Sequence, residues 1–132
     1  MGLMDLASEL VHGAVRDSLG STVTYARGLA TVEITATMGV TKRDAIDQDG
    51  NVVLFEAVDF ILPAEVLILS NEQVRPQLGD TITRRVAFDA GMQDIVHTVL
   101  EIPGSDAWRY VDAERRMLRV HTKVSRVEDV GT

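Results

Sequence analysis

From Leu3 to Leu19, apolar side chains recur at three- and four-residue spacing: Leu3, Leu6, Ala7, Leu10, Val11, Ala14, Val15 and Leu19. Asp5, Glu9, Arg16 and Asp17 take the other side, so this stretch predicts an amphipathic helix. Gly13 weakens its middle by about 1 kcal/mol relative to alanine, and Gly20 supplies a stop. Such a helix covers one end of a sheet; its sharper use is to dock on a neighbouring subunit.

From Ser21 the period becomes two. Val23 and Tyr25 alternate with polar neighbours, Arg27-Gly28 turns the chain, and a second strand runs from Leu29 to Met38. There Ala30, Val32, Ile34, Ala36 and Met38 share one face, while Thr31, Glu33, Thr35 and Thr37 share the other. The pair predicts a β-hairpin. Gly39 to Asn51 reads as a polar loop, of a length more often functional than structural. Val52–Leu62 is rich in β-branched and aromatic residues, with Glu56 interrupting its apolar face, and predicts two short strands or one bent one ended by Pro63.

Ala64–Leu69 suits a helical turn and Ser70–Gln77 a loop. Pro76 to Asp80 is a turn signal before a strand at Thr81–Phe88. Asp89-Ala90-Gly91 turns into a strand at Gln93–Ile102, with Val96, Leu100 and Ile102 on one face and Ile95, His97 and Val99 on the other. After the loop Pro103–Asp106, Met117–Val127 closes the chain. Short strands at regular spacing with turn residues between them predict a mainly β fold. The expected form is a small β-barrel or sandwich of about six to seven short antiparallel strands with an N-terminal α-helix. The expected division of a single domain, 1–132, is a helix over 1–20, the β-barrel over 21–127 and a tail over 128–132.

The chain has 132 residues and no cysteine, which removes disulfides and thiolate metal sites. A chain of this size buries roughly two thirds of its unfolded surface and needs no staples. Asp5 and Glu9 lie within the N-terminal apolar pattern and no basic leader precedes it, which argues against a secretory signal. No apolar run approaches the roughly 20 residues of a membrane span.

Charge changes the picture more. The formal net charge is −7. Residues 1–106 carry seven basic and 16 acidic side chains, a balance of −9, whereas residues 107–132 carry six and four, a balance of +2. An acidic body argues against wrapping nucleic acid, because phosphate binding relies on lysine and arginine. It suits a surface past which DNA slides without sticking.

Catalytic signals are absent: there is no G-x-S-x-G elbow, no cysteine nucleophile and no G-x-G-x-x-G or P-loop. His12, His97 and His121 are too scattered for a local metal motif. Placing Gly50 at the invariant glycine of an EF-hand loop sets Asp47, Asp49 and Glu56 at ligand positions, but the first ligand position falls on Ala45. An Asp49-Gly50 hairpin turn accounts for the same residues. No cofactor or metal is expected, and the chain reads as non-enzymatic.

The basic end carries the one distinctive surface signal. In the last strand Leu118, Val120 and Val124 share a face with Thr122, and Arg119, His121 and Lys123 share the other. That cationic stripe either protects an edge strand as a solvated face or meets the acidic surface of an identical neighbour. Head-to-tail contacts of the second kind generate rings when the rotation closes. Trp108, Arg109 and Tyr110 are of types enriched at interface anchors, although Trp108 equally suits a lid on the core. The candidate subunit interface is therefore Trp108, Arg109, Tyr110, Arg119, His121 and Lys123.

An order of motifs has now accumulated: Val23-Thr24-Tyr25-Ala26-Arg27-Gly28, then Asp59-Phe60-Ile61-Leu62, then Pro76-x-x-Gly79-Asp80-x-Ile82. It continues with Trp108-Arg109-Tyr110-x-Asp112 and Leu118-Arg119-Val120-His121-Thr122-Lys123. Over about residues 23–123 this series resembles the head–tail joining proteins (head-completion, neck or stopper) of tailed bacteriophages and prophages. The resemblance implies a small β-barrel that assembles as a ring between portal vertex and tail, around the channel through which the genome passes.

Its implied partners are further copies of itself, portal or adaptor proteins, tail proteins and passing DNA that is not specifically bound, with no membrane. The implied location is the virion, after synthesis in the bacterial host cytoplasm. In such families a long loop often projects into the lumen; by position it is Thr41–Asn51, with Asp44, Asp47 and Asp49 beside Lys42 and Arg43. Competing expectations are a tail-terminator ring, a small-molecule- or carbohydrate-binding β-barrel module, and a calcium-dependent module.

Overall fold

The computed structural model describes residues 20–88 and 91–130. The expected helix over 1–20, His12, the Asp89-Ala90 part of a turn and the last two residues of the expected tail lie outside them.

The described residues begin with β1 (Ser21–Arg27), in which Val23 and Tyr25 are buried, as their alternation predicts. Gly28, at φ 63°, closes a two-residue turn with Leu29 into β2 (Ala30–Ile46), where Arg27 pairs with Ala30. Residues 30–36 of β2 pair with β1, and residues 37–46 pair with β3 (Val52–Pro63). One expectation changes here. The predicted polar loop from Gly39 is strand as far as Ile46, whereas Val52–Pro63 is a single strand, one of the two forms expected for it. The period was hidden because the far half of the β2–β3 hairpin is exposed on both faces, so no apolar alternation is required there.

After Pro63 a short 3-10 turn, Ala64–Val66, leads to β4 (Ile68–Leu69) and β5 (Glu72–Gln73), a minimal hairpin. Its turn residues Ser70 and Asn71 have φ of 54° and 68°, the mirror-image conformation that two-residue hairpins favour. The helical turn expected over Ala64–Leu69 is thus half as long as predicted, and the following loop begins with a strand pair.

Then come β6 (Thr81–Phe88), β7 (Gly91–Val99), β8 (Trp108–Tyr110) and β9 (Met117–Asp129). The last strand extends two residues into the expected tail. Among the described residues all pairings are antiparallel, and the seven-stranded sheet that they form has the order β3-β2-β1-β6-β7-β9-β8. A further pairing of β3 with β9, from Val58↔Thr122 to Pro63↔Met117, closes a circuit β3-β2-β1-β6-β7-β9 and leaves β8 outside it on β9.

Tyr25, Phe60, Leu62, Leu67, Ile82, Leu118 and Val120 are each 0% exposed and fill the interior. β9 contributes Leu118 and Val120 from the expected inner face, but Val124 is exposed beyond the point where β9 leaves β3. A register shift between β7 and β9 leaves Ser125 without an opposite residue, between the pairs His97↔Val124 and Val96↔Arg126. Val96 and His97 are both buried beside it, a placement that strict alternation would not give.

Candidate functional site

Two aspartates lie within this apolar frame, and each is satisfied by residues distant in sequence. Asp59 is 0% exposed on β3. It accepts from Arg119 Nε at 2.6 Å, from His121 Nδ1 at 2.8 Å and from the Thr41 hydroxyl. Arg119 also reaches the Val40 carbonyl, lying over Gly39, where an added Cβ would stand 3.2 Å from its guanidinium. Because an ionised carboxylate only accepts, His121 donates through Nδ1, and its Nε2 is buried with no partner among the described residues.

The second aspartate, Asp80, is 3% exposed. Arg27 grips it through Nε and Nη2, both at 3.0 Å, while the Tyr25 hydroxyl and the Gln77 amide also donate to it. Burial, and then the carboxylate it donates to, push the Tyr25 hydroxyl far above its ordinary value, against the opposing charge of Arg27. Tyr25 is therefore a fixed donor. Buried charges held this way preserve one arrangement of strands, since losing one partner strands the other.

His97 forms a third buried polar position. Its Nε2 accepts from Arg84 Nε at 3.1 Å, its Nδ1 lies 3.4 Å from the Thr122 hydroxyl, and its ring meets Phe60 edge-on at 4.9 Å. Burial first, and then the Arg84 charge, lower its pKa to about 4. The imidazole is neutral at physiological pH. Among the described residues, the pockets that adjoin Pro63 are not lined by Asp59, Asp80 or His97. Among the described residues, no three His, Cys, Asp or Glu side chains gather where they could hold a metal ion.

The predicted interface residues separate. His121 is 1% exposed and Arg119 is ion-paired to Asp59, so the expected outward cationic stripe keeps only Lys123 at the surface. The cause is the β3–β9 register, which sets Asp59 opposite His121 and within reach of Arg119, while the segment between β7 and β8 bonds the β9 backbone: Leu100 donates to the His121 carbonyl and the His121 amide donates to the Ala107 carbonyl. Trp108 and Tyr110 are half-buried against the core and meet edge to face at 5.2 Å, whereas Arg109 is exposed.

Tyr110 leads to a feature that the sequence reading did not single out. Arg75 donates to its hydroxyl at 3.0 Å, and Arg75 and Arg115 each stand 5.7 Å from the centre of its ring. Together with Arg116 they line an open pocket of about 530 Å³, whose remaining wall includes Pro63, Glu65, Gln73 and Met117. Arg115 adopts φ 60°, and Asp112 fixes this turn by accepting the Arg116 and Met117 amides.

At the far end of β3 the hairpin projects. Lys42, Arg43 and Asp44 belong to β2, and Asp47 and Asp49 belong to the turn. Lys42 lies 3.6 Å from Glu56 on the paired strand, and Arg43 reaches the Pro103 carbonyl. Asp47 Oδ1 accepts the amides of Asp49 and Asn51, with Gly50 at φ 83°. Thus the Asp47 carboxylate closes the turn, and Glu56 sits in a strand paired with a lysine rather than completing a calcium loop. Val40, Ile46, Val52 and Leu54 are exposed by 55–73% on one face of this ribbon.

An exposed apolar ribbon thus stands on a chain of net charge −7, and the buried polar clusters tie its strands together. A search of curated proteins finds no match. The sequence profile described as phage head-tail joining protein matches residues 1–129. That span takes in every strand and cluster described above, and the chain belongs to the phage head–tail joining family.

Proposed function

We propose that this protein is a non-enzymatic virion part of a phage or prophage that forms a ring at the head–tail connector, in head completion or as a stopper, around the DNA channel. Its partners are further copies of itself, portal or adaptor proteins and tail proteins, and it is made in the host cytoplasm before incorporation into the virion. The observation that carries this reading is the family match over residues 1–129. The circuit of strand pairings closed by β3 and β9 supports a small barrel as the ring's unit. The net charge of −7 suits a wall past which DNA moves unbound.

The same reading assigns the 41–51 hairpin to protein contact. A two-stranded ribbon is marginal in water by itself, and contiguous exposed apolar side chains mark interaction sites. Ile46, Val52 and Leu54 favour a protein over a DNA-facing lumen. Of the interface candidates, Arg109 and Lys123 are the exposed cations.

The test combines native mass measurement over a concentration series, with and without portal rings, and imaging of particles from cells lacking the gene. A species of defined ring mass, with tailless heads in the deletion, is expected. A chain that stays monomeric with portal and tail proteins and is absent from particles would overturn the proposal. Joined tails of wrong length in the deletion would instead favour a tail-terminator ring.

A further inference from the structure

The pocket of arginines and the tip of the β2–β3 hairpin are complementary in charge, and a single molecule keeps them apart. Arg75, Arg115 and Arg116 face one pocket with Glu65 as the acid in its wall, and none of the three has a carboxylate partner among the described residues. Asp112 serves the backbone of this turn instead.

What sets these three apart is their gathering: in a chain of net charge −7, three arginines line one pocket with no carboxylate paired to any of them among the described residues. Guanidinium forks bind carboxylates through paired hydrogen bonds. At the hairpin tip, Asp44 and Asp49 are exposed, and neither side chain accepts a hydrogen bond or ion pair within the described residues. Apolar surface accompanies both sites: Ile46 and Val52 flank the tip, exposed by 73% and 69%, and Ile68, paired with Gln73 of the pocket wall, is exposed by 43%.

Both sites sit on β3, at opposite ends. Val52 begins that strand next to the tip and Pro63 ends it in the pocket wall. A strand of this length spans roughly 35 Å, so a tip cannot reach the pocket of its own molecule. We propose that the acidic hairpin tip of one copy, through Asp44 and Asp49, docks in the Arg75/Arg115/Arg116 pocket of the next. The contact is heterologous: each copy offers a tip at one end and a pocket at the other, the arrangement from which rings are built when the rotation closes. It rests on the ring reading above and names the surfaces that would make the ring.

The experiment is a charge swap read by sedimentation and native mass measurement in low salt, with portal rings present and absent. One variant carries Arg115→Glu and Arg116→Glu, and the other carries Asp44→Arg and Asp49→Arg. All four positions are exposed, and melting curves check that each variant folds. Arg115→Gln with Arg116→Gln provides a neutral second version.

Each charge-reversed variant alone should need about tenfold or more higher concentration to assemble, given charge-assisted hydrogen bonds lost at every junction. An equimolar mixture should recover wild-type assembly with the two variants alternating, because every junction then joins opposite charges. Assembly of wild type and of both variants alone would overturn the inference and leave the ring reading intact. Failure of the mixture to recover overturns it as well. Loss of duplex DNA binding by Arg115→Glu/Arg116→Glu with assembly unchanged would make the pocket a phosphate site instead. A wild-type chain that never assembles, even on portal rings, overturns both readings.

Discussion

Replacing His97 by glutamine should flatten the acid side of this protein's stability profile. In the fold the imidazole is 0% exposed and accepts a hydrogen bond from Arg84. Protonation would add a buried cation beside an arginine and remove that acceptor. The pKa is accordingly lowered to about 4, against about 6.5 in an unfolded chain. Because the folded value is the depressed one, the unfolded state binds the proton first as pH falls. The stability tied to neutral His97 is complete above about pH 6.5 and is lost progressively toward pH 4. From these two values the loss is about 2 kcal/mol by pH 5 and about 3 kcal/mol by pH 4.

Glutamine keeps an acceptor for Arg84 and does not titrate. Urea unfolding of dilute protein at half-unit steps from pH 7.5 to 4 measures both proteins, with equal slopes required for the comparison. The difference between their stability curves isolates His97 from the carboxylates common to both. The wild type should fall relative to His97→Gln by about 3 kcal/mol across that range. Parallel curves would refute the reasoning, since they would mean that burial beside Arg84 leaves the proton affinity of His97 unaltered.

Two further perturbations separate fold from assembly. Asp80→Ala removes the carboxylate shared by Arg27 and Tyr25, leaving Arg27 only the Arg75 carbonyl, and should destabilise by about 3–5 kcal/mol, as breaking a buried pair does. Tyr25→Phe, which removes one donor, should cost about 1–2 kcal/mol; a loss under about 0.5 kcal/mol for Asp80→Ala, typical of a surface change, would contradict the network. Val52→Ser combined with Leu54→Ser alters side chains that are 69% and 59% exposed, so chemical unfolding should move by less than about 0.5 kcal/mol. Assembly with portal rings should nevertheless weaken in the same sedimentation assay, and unchanged assembly would remove the hairpin from the interface.

The longer strands with one buried face were legible, while the two- and three-residue strands β4, β5 and β8 were too short to show a period. Val23 and Tyr25, Ile34 and Ala36, and Leu118 and Val120 alternate because the sheet has an inside, and they are buried as the period of two requires. The far half of β2 was missed for the same physical reason. No side chain of Thr41–Ile46 is fully buried, so nothing in its pattern separates a strand from a loop, and only its pairing with β3 makes it one. The two aspartates left a weaker trace. Asp59 interrupts the apolar run A-V-D-F-I-L, and a carboxylate in such a position needs a partner, but the sequence does not say which.

Sequence alone determined the mainly β architecture, the acidic body with its basic end, the lack of a catalytic motif and the motif order that resembles the family to which the chain belongs. These depend on local periodicity, summed charge and residue order, all of which are present before folding. Tertiary structure decided which charges remain at the surface. The β3–β9 register sets Arg119 and His121 against Asp59, 60 and 62 residues away in sequence, and turns an expected outward stripe into a buried pair. It also gathered Arg75 with Arg115 and Arg116, forty residues further on, into one pocket. A charge is free or neutralised according to its neighbours in space, and long-range antiparallel pairing chooses those neighbours.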